Sequence, residues 1–269
     1  MKAIQATTVA VLCASAALAP ATATAQSADA WHFDAALYLW LPSVDGTTRF
    51  GTGGSDATVD ASKVLESLNA AFMGAFEARR GQWGGFTDFA YVDFNHSKSA
   101  TRDLSIGGIP LPADVSASLS FDLKGSIWTL AGLYRVVPDP VSPVDVFAGT
   151  RFLDIKENVA WQLSGNIGQF PISGQAGNQD ASIHNLDLIV GAKGRFALTP
   201  DGKWFVPYYV DMGTGNSKFT WQAMGGIGYS FGTLSIVGNW RYIDYHMKSG
   251  KPFETLSFSG PSVAAVFRW

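Results

Sequence analysis

Ten segments of alternating side-chain character, connectors that take turns short and long, and a charged fraction of only 15% against 47% hydrophobic residues predict an all-β chain. The fold they describe is a ten-stranded antiparallel β-barrel that crosses a membrane, with eight or twelve strands as the alternatives. A soluble domain of similar apolar content carries roughly 25% charge. The shortfall argues against disorder, a coiled coil and an ordinary cytosolic enzyme. A net charge of −3 supplies no basic field to hold nucleic acid.

Residues 1–25 read as a cleaved export signal, leaving 26–269 as the barrel. Met1 and Lys2 form a short positive start, Thr7–Ala19 is apolar and small, and Ala23-Thr24-Ala25 precedes Gln26 as an A-x-A site. A cut two residues earlier is the rival. The single cysteine, Cys13, lies in this leader behind Leu12, where a lipoprotein signal would want a small residue. The mature chain therefore holds no disulfide, zinc-thiolate site or thiol nucleophile. No later run approaches the ~18 apolar residues of a membrane helix.

Trp31–Leu41 sets the strand pattern: Trp31, Phe33, Ala35, Leu37, Leu39 and Leu41 on one face, His32, Asp34, Ala36, Tyr38 and Trp40 on the other. Ala70–Arg79 sets Phe72 and Phe76 against Glu77 and Arg79. That segment, Trp83–Asn95 and Val144–Lys156 are the weaker cases, and the faces of Trp83–Asn95 are too mixed to orient. Val115–Val136 is the longest, with Val115, Ala117, Leu119, Phe121, Leu123, Ile127, Ala131 and Leu133 read as the apolar, lipid-facing side and Ser116, Asp122, Lys124 and Ser126 opposite. Soluble strands run to about five or six residues, so this length suits a strand that crosses a bilayer and continues.

Leu186, Leu188, Val190 and Phe196 then oppose Asn185, Asp187, Lys193 and Arg195, and Trp204, Val206, Tyr208, Val210 and Met212 oppose Phe205, Tyr209 and Asp211. Phe219, Trp221 and Ile227 oppose Thr220 and Gln222; Leu234, Ile236, Trp240 and Tyr242 oppose Ser235, Asn239 and Arg241. The last segment, near Glu254–Trp269, is expected to bulge at Gly260-Pro261. Arg80–Gln82, Val137–Pro143, Thr199–Lys203 and Phe231–Thr233 are the short connectors; between them the longer ones lie near 42–69, 96–114, 157–182 and 246–253, and the one at Gly213–Lys218 is short. Tight turns on the periplasmic side and long loops outside are the outer-membrane pattern. In the first long loop, Asp60 is expected to cap a short helix over Ala61–Leu68.

The terminal run Val263-Ala264-Ala265-Val266-Phe267-Arg268-Trp269 resembles the C-terminal signal of outer-membrane barrels, with Val263, Ala265, Phe267 and Trp269 on one face. That resemblance implies the barrel-assembly machinery as a partner. More broadly, Trp31–Gly46, Phe72–Phe94, Trp204–Phe231 and Ser259–Trp269 are similar to a family of uncharacterised Gram-negative outer-membrane β-barrel proteins, of the outer-membrane-protein β-barrel domain superfamily. The resemblance implies fold and location in the outer membrane after export to the periplasm, and brings no activity.

The polar faces place Asp34, Glu77, Asp122, Asp187 and Asp211 with Arg79, Lys124, Lys193, Arg195 and Arg241 in the lumen. Mixed signs read first as ion-paired filling and second as a narrow polar conduit, since a selectivity ring shows one dominant sign. Asp244-Tyr245-His246 puts a carboxylate and an imidazole on one strand face near the outer end. The spacing is similar to the pair of omptin-type proteases, but Asp88 and Asp93 fall on opposite faces and cannot supply the second acidic pair that such sites need. Asn95-His96-Ser97 is too little motif for a lipase. Gly53-Gly54, Gly107-Gly108 and Gly225-Gly226 open no helix and cradle no phosphate, and no spacing suggests a metal or cofactor. The expectation is a non-enzymatic narrow pore or structural, surface-interacting barrel in contact with outer-membrane lipid. The alternative is a hydrolase at the mouth using Asp244 and His246. Oligomeric state is left open.

Overall fold

The structure, a computed structural model, describes residues 30–48, 56–59, 68–100, 105–106, 109–110, 115–167, 170–249 and 253–269. The export signal and the helix expected over Ala61–Leu68 fall outside these residues, except that Leu68 itself opens a strand. The strands are β1 (Trp31–Trp40), β2 (Ser43–Thr48), β3 (Asp56–Val59), β4 (Leu68–Arg80), β5 (Trp83–Ala100), β6 (Ser105–Ile106) and β7 (Ile109–Pro110). They continue as β8 (Val115–Val137), β9 (Val144–Ile167), β10 (Phe170–Ala197), β11 (Trp204–Gly215), β12 (Ser217–Ser230), β13 (Leu234–Met247) and β14 (Phe253–Arg268).

Ten of these close an antiparallel barrel in the order β1-β4-β5-β8-β9-β10-β11-β12-β13-β14, with β1 returning to β14. The seam runs from Asp34 opposite Arg268 to Trp40 opposite Ser262. Closure leaves no strand edge, which in hydrocarbon would cost several kcal/mol for each unpaired N–H or C=O. Beyond Leu41-Pro42, β2 keeps the same register on β14 (Ser43 opposite Ser259), and β3 pairs back onto β2. Part of the first long connector is therefore sheet. Likewise β9 and β10 pair up to Ile167 and Phe170, so 157–167 and 170–182, expected as loop, are strand.

The bulge expected at Gly260-Pro261 is not formed. Arg241 faces Gly260 and Trp240 faces Pro261 with no register shift. Glycine serves a different need there: a Cβ at Gly260 would lie 2.1 Å from the Leu41 carbonyl oxygen.

One end of the barrel holds the β4–β5, β8–β9, β10–β11 and β12–β13 turns, the start of β1 and the end of β14; the tight β11–β12 connector at Asn216 lies at the other end. Gly81, Gly202 and Gly232 take φ values of 60°, 65° and 98°, which β-carbon-bearing residues resist. In the β8–β9 turn, Asp139 Oδ1 accepts the backbone N–H groups of Val141 and Ser142, each at 2.7 Å.

The outer wall is apolar. Leu37, Phe72, Leu130, Leu188, Val190, Met212, Ile227 and Val263 are all exposed. Aromatic pairs ring the turn end (Trp83–Tyr134, Phe196–Tyr208, Trp204–Tyr229) and the level above (Trp128–Phe152, Trp221–Tyr242). From Tyr229 to Trp221 along β12 the axial rise is roughly 20 Å at ~3.3 Å per residue and a tilt near 40°. That approaches the ~25 Å apolar band of a membrane barrel with its two girdles.

The inward side chains form layers. Farthest from the turns is an apolar layer including Trp40, Met73, Leu153, Ile243, Tyr245 and Phe258. Nearer the turns lies an aromatic layer of Phe86, Phe147, Tyr209, Leu133 and Ile189, with Phe205 and Val237 beside it. Two glycines make room for these rings: a Cβ at Gly191 or Gly228 would lie 2.5 Å from Phe147 or 2.4 Å from Phe205. The odd-numbered residues of β8 belong to the interior, since Ile127, Ala131 and Leu133 are buried while Trp128 and Leu130 are exposed. This corrects the orientation expected for that strand: within the membrane level both of its faces are apolar, and neighbouring strands decide which points inward. In β5 the inward face carries Phe86, Asp88 and Ala90.

Candidate functional site

Between the two apolar layers, alternation on β9 and β11 aims Arg151 and Asp211 inward, and they meet as an ion pair with no exposed side-chain surface. Among the described residues, Arg151 Nε and Nη1 and Asp211 Oδ1 have no hydrogen-bond partner. Beside them Arg241 donates to Asp88 at 3.2 Å and to Tyr38 Oη at 3.1 Å, and its guanidinium lies 4.8 Å from the Trp40 ring centre. Opposite Arg151 on β10, Asp187 has no cation within salt-bridge distance among the described residues and is solvated by protein donors. It accepts from Ser217 N–H and Oγ at 2.8 Å each and from Asn185 Nδ2 at 2.7 Å. These bonds tie the β11–β12 connector to the barrel interior.

Toward the turns the interior opens into a cavity of about 750 Å³. Its far end reaches Tyr38, Asp88 and Arg241, and its walls include Phe86, Phe205, Met224 and Val237. Charged residues cluster at its mouth. Lys193 pairs with Glu77 at 2.5 Å, Arg135 grips both oxygens of Asp145 at 2.7 and 2.9 Å, and Arg268 meets Asp34 at 3.2 Å across the seam. Arg79 and Arg195 also line the mouth; they donate to the carbonyls of Gly81 and Pro140 at 3.0 and 2.9 Å.

Of the residues expected in the lumen, Asp34, Glu77, Arg79, Asp187, Lys193, Arg195, Asp211 and Arg241 point inward. Lys124 does not. It shares the outward face of β8 with Trp128 and pairs with Asp93 at 3.1 Å on the outer wall, because the orientation expected for β8 is reversed. The side chain of Asp122 lies outside the described residues. Asp88, Asp145, Arg135 and Arg151 are not among the lumen residues expected from sequence. Asp88, Asp145 and Arg151 lie on segments of weak alternation, where only the shared parity of Asp145, Phe147 and Arg151 against Val146 and Phe152 is a signal, and Arg135 lies on β8, whose expected orientation is the reverse of the observed one.

Asp244 and His246 come together, with Oδ1 and Nε2 2.9 Å apart, yet that oxygen accepts no well-aligned hydrogen bond. Both stand on the outward face of β13 with Ile236 and Trp240, while Arg241, Ile243 and Tyr245 turn inward. They do not face the mouth, as the sequence reading expected. Val263 and Phe267 are exposed outward on β14, and Trp269 follows them, stacked on Phe33 at 5.7 Å. Among the described residues no cluster of His, Cys, Asp or Glu could hold a metal.

No family model matches the chain, and no curated protein matches it in sequence. Solved structures do. The outer membrane protease OmpT from Escherichia coli is similar over 92% of this chain and 98% of its own, at 8% identity and a TM-score of 0.51. The translocator domain of the autotransporter NalP from Neisseria meningitidis matches 89% of this chain and 88% of its own, at 16% identity and a TM-score of 0.43. Ail, the attachment invasion locus protein of Yersinia pestis, matches 90% and 99% at 10% identity and a TM-score of 0.32. The likeness to OmpT shows the fold alone: this chain has the outer-membrane β-barrel fold.

Proposed function

We propose that this outer-membrane β-barrel does not conduct, and that it serves as a closed scaffold holding an extended sheet beyond the membrane surface. The supporting observation is the Arg151–Asp211 pair, fully buried in mid-barrel between an apolar and an aromatic layer. A solute path would need water there, and charges that water reaches are not wholly hidden. Closed barrels with an apolar belt sit in the outer membrane, tight turns on the periplasmic side. The cavity at the turns then opens to the periplasm, and the long β8, β9 and β10 rise outside.

Planar-bilayer recording tests the reading. The reconstituted barrel is expected to give no discrete current steps, and reproducible steps would replace it with the narrow pore. The hydrolase alternative draws support only from the 2.9 Å approach of Asp244 and His246. Their place on the outward face of β13, with the exposed Ile236 and Trp240, sets them outside the lumen, which favours the non-enzymatic reading.

A further inference from the structure

We propose that the cavity at the turn end binds a small organic anion with an apolar body: a carboxylate or phosphate monoester carried on an aromatic or short acyl group. The cavity, about 750 Å³, falls within the range of sites that enclose small ligands.

Charge at its mouth is unbalanced. The three side-chain carboxylates there are committed: Glu77 to Lys193, Asp145 to Arg135, Asp34 to Arg268. Arg79 and Arg195 remain. Among the described residues neither has a carboxylate within salt-bridge distance, and each holds a backbone carbonyl. Arg79 Nε is in addition buried without a partner. Guanidinium groups drawn out of water are stabilised by an oxyanion that accepts from their planar forks.

The cavity walls select what the anion is attached to. Arg195 lies 5.4 Å from the ring centre of Phe205, and Lys193 lies 4.5 Å from that of Phe86, so cations and aromatic rings meet at one level. Deeper, Met224, Val237 and Ala264 line the space. A bare inorganic anion would leave these surfaces uncovered, and a neutral hydrocarbon would leave the two arginines without a counter-ion. An anionic head on an apolar body satisfies both. Because the far end abuts the Arg241–Asp88–Tyr38 cluster and the Arg151–Asp211 layer, the ligand enters and leaves by the same mouth.

Isothermal titration of the barrel in lipid nanodiscs tests this, with 2-naphthoate, 1-naphthyl phosphate and uncharged 2-naphthalenemethanol as probes and empty nanodiscs as the blank. The expected result is saturable one-to-one binding of an anionic probe, at least tenfold tighter than the alcohol. The tighter of the two anions identifies the head group. Arg79→Gln with Arg195→Gln is expected to abolish the preference for charge. Equal affinity for charged and uncharged probes, or no saturable binding of either anion to the unmodified barrel, overturns the proposal, whether or not the double variant folds.

Discussion

Removing the carboxylate of Asp211 strips Arg151 of the carboxylate it is hydrogen-bonded to. The Arg151 side chain has no exposed surface, and among the described residues its Nε and Nη1 have no hydrogen-bond partner; Asp187, opposite it on β10, is held by Ser217 and Asn185, so Asp211→Ala leaves a buried guanidinium with no hydrogen-bonded counter-ion. Breaking a buried pair from one side costs about 3–5 kcal/mol, which is more than a hundredfold in the unfolding equilibrium. Replacing both members with apolar residues of similar volume, Arg151→Met with Asp211→Leu, removes the uncompensated charge and is expected to restore most of that loss. The assay is urea unfolding in lipid vesicles, followed by the emission of the chain's nine tryptophans, across the double-mutant cycle. A cost below about 1 kcal/mol for Asp211→Ala is the range of solvent-exposed pairs. That outcome would mean water reaches Arg151, and the reasoning that the lumen is closed would fail with it.

Gly228→Ala is expected to destabilise by about 1–3 kcal/mol through overpacking, since its Cβ would lie 2.4 Å from the Phe205 ring; Phe205→Leu should recover part of this in the same unfolding assay. Leu130→Arg places a charge on the outward face of β8 between Tyr134 of the turn-end girdle and Trp128 of the outer one and should cost about 2–4 kcal/mol at the bilayer midplane. A loss of only a few tenths would refute that placement. The backbone N–H groups of Ser142 and Val141 hold the Asp139 carboxyl below its ordinary value. Its contribution is therefore complete above the unfolded carboxylate pKa of ~3.9 and lost as pH falls through the lower folded value. The stability gap between the unmodified barrel and Asp139→Ala should narrow on acidification below pH ~4, and a gap that widens refutes the assignment.

Alternation alone located the strands, and for β1, β10, β11, β12 and β13 it also divided lipid from lumen, because one face of each is markedly more polar. β8 shows where this stops. Within the membrane level Ile127, Ala131 and Leu133 on one side and Trp128 and Leu130 on the other are equally suited to hydrocarbon. Period two is blind to the sign of a face, and Lys124 was assigned to the lumen for that reason. The pairing of β8 with Phe89 and Phe152 on its neighbours sets the sign.

By itself the sequence determined an all-β chain of ten membrane-length strands with tight turns at one end, because side-chain period and turn chemistry are local properties. Closure, the layered interior and the cavity were decided only in three dimensions. Arg151 finds Asp211 across 60 residues, and Lys193 finds Glu77 across 116. No periodicity encodes which inward side chains share a level, since that follows from strand stagger around the closed barrel. The same stagger brings Arg79 and Arg195 to one mouth, where each holds a backbone carbonyl and, among the described residues, neither has a carboxylate within salt-bridge distance.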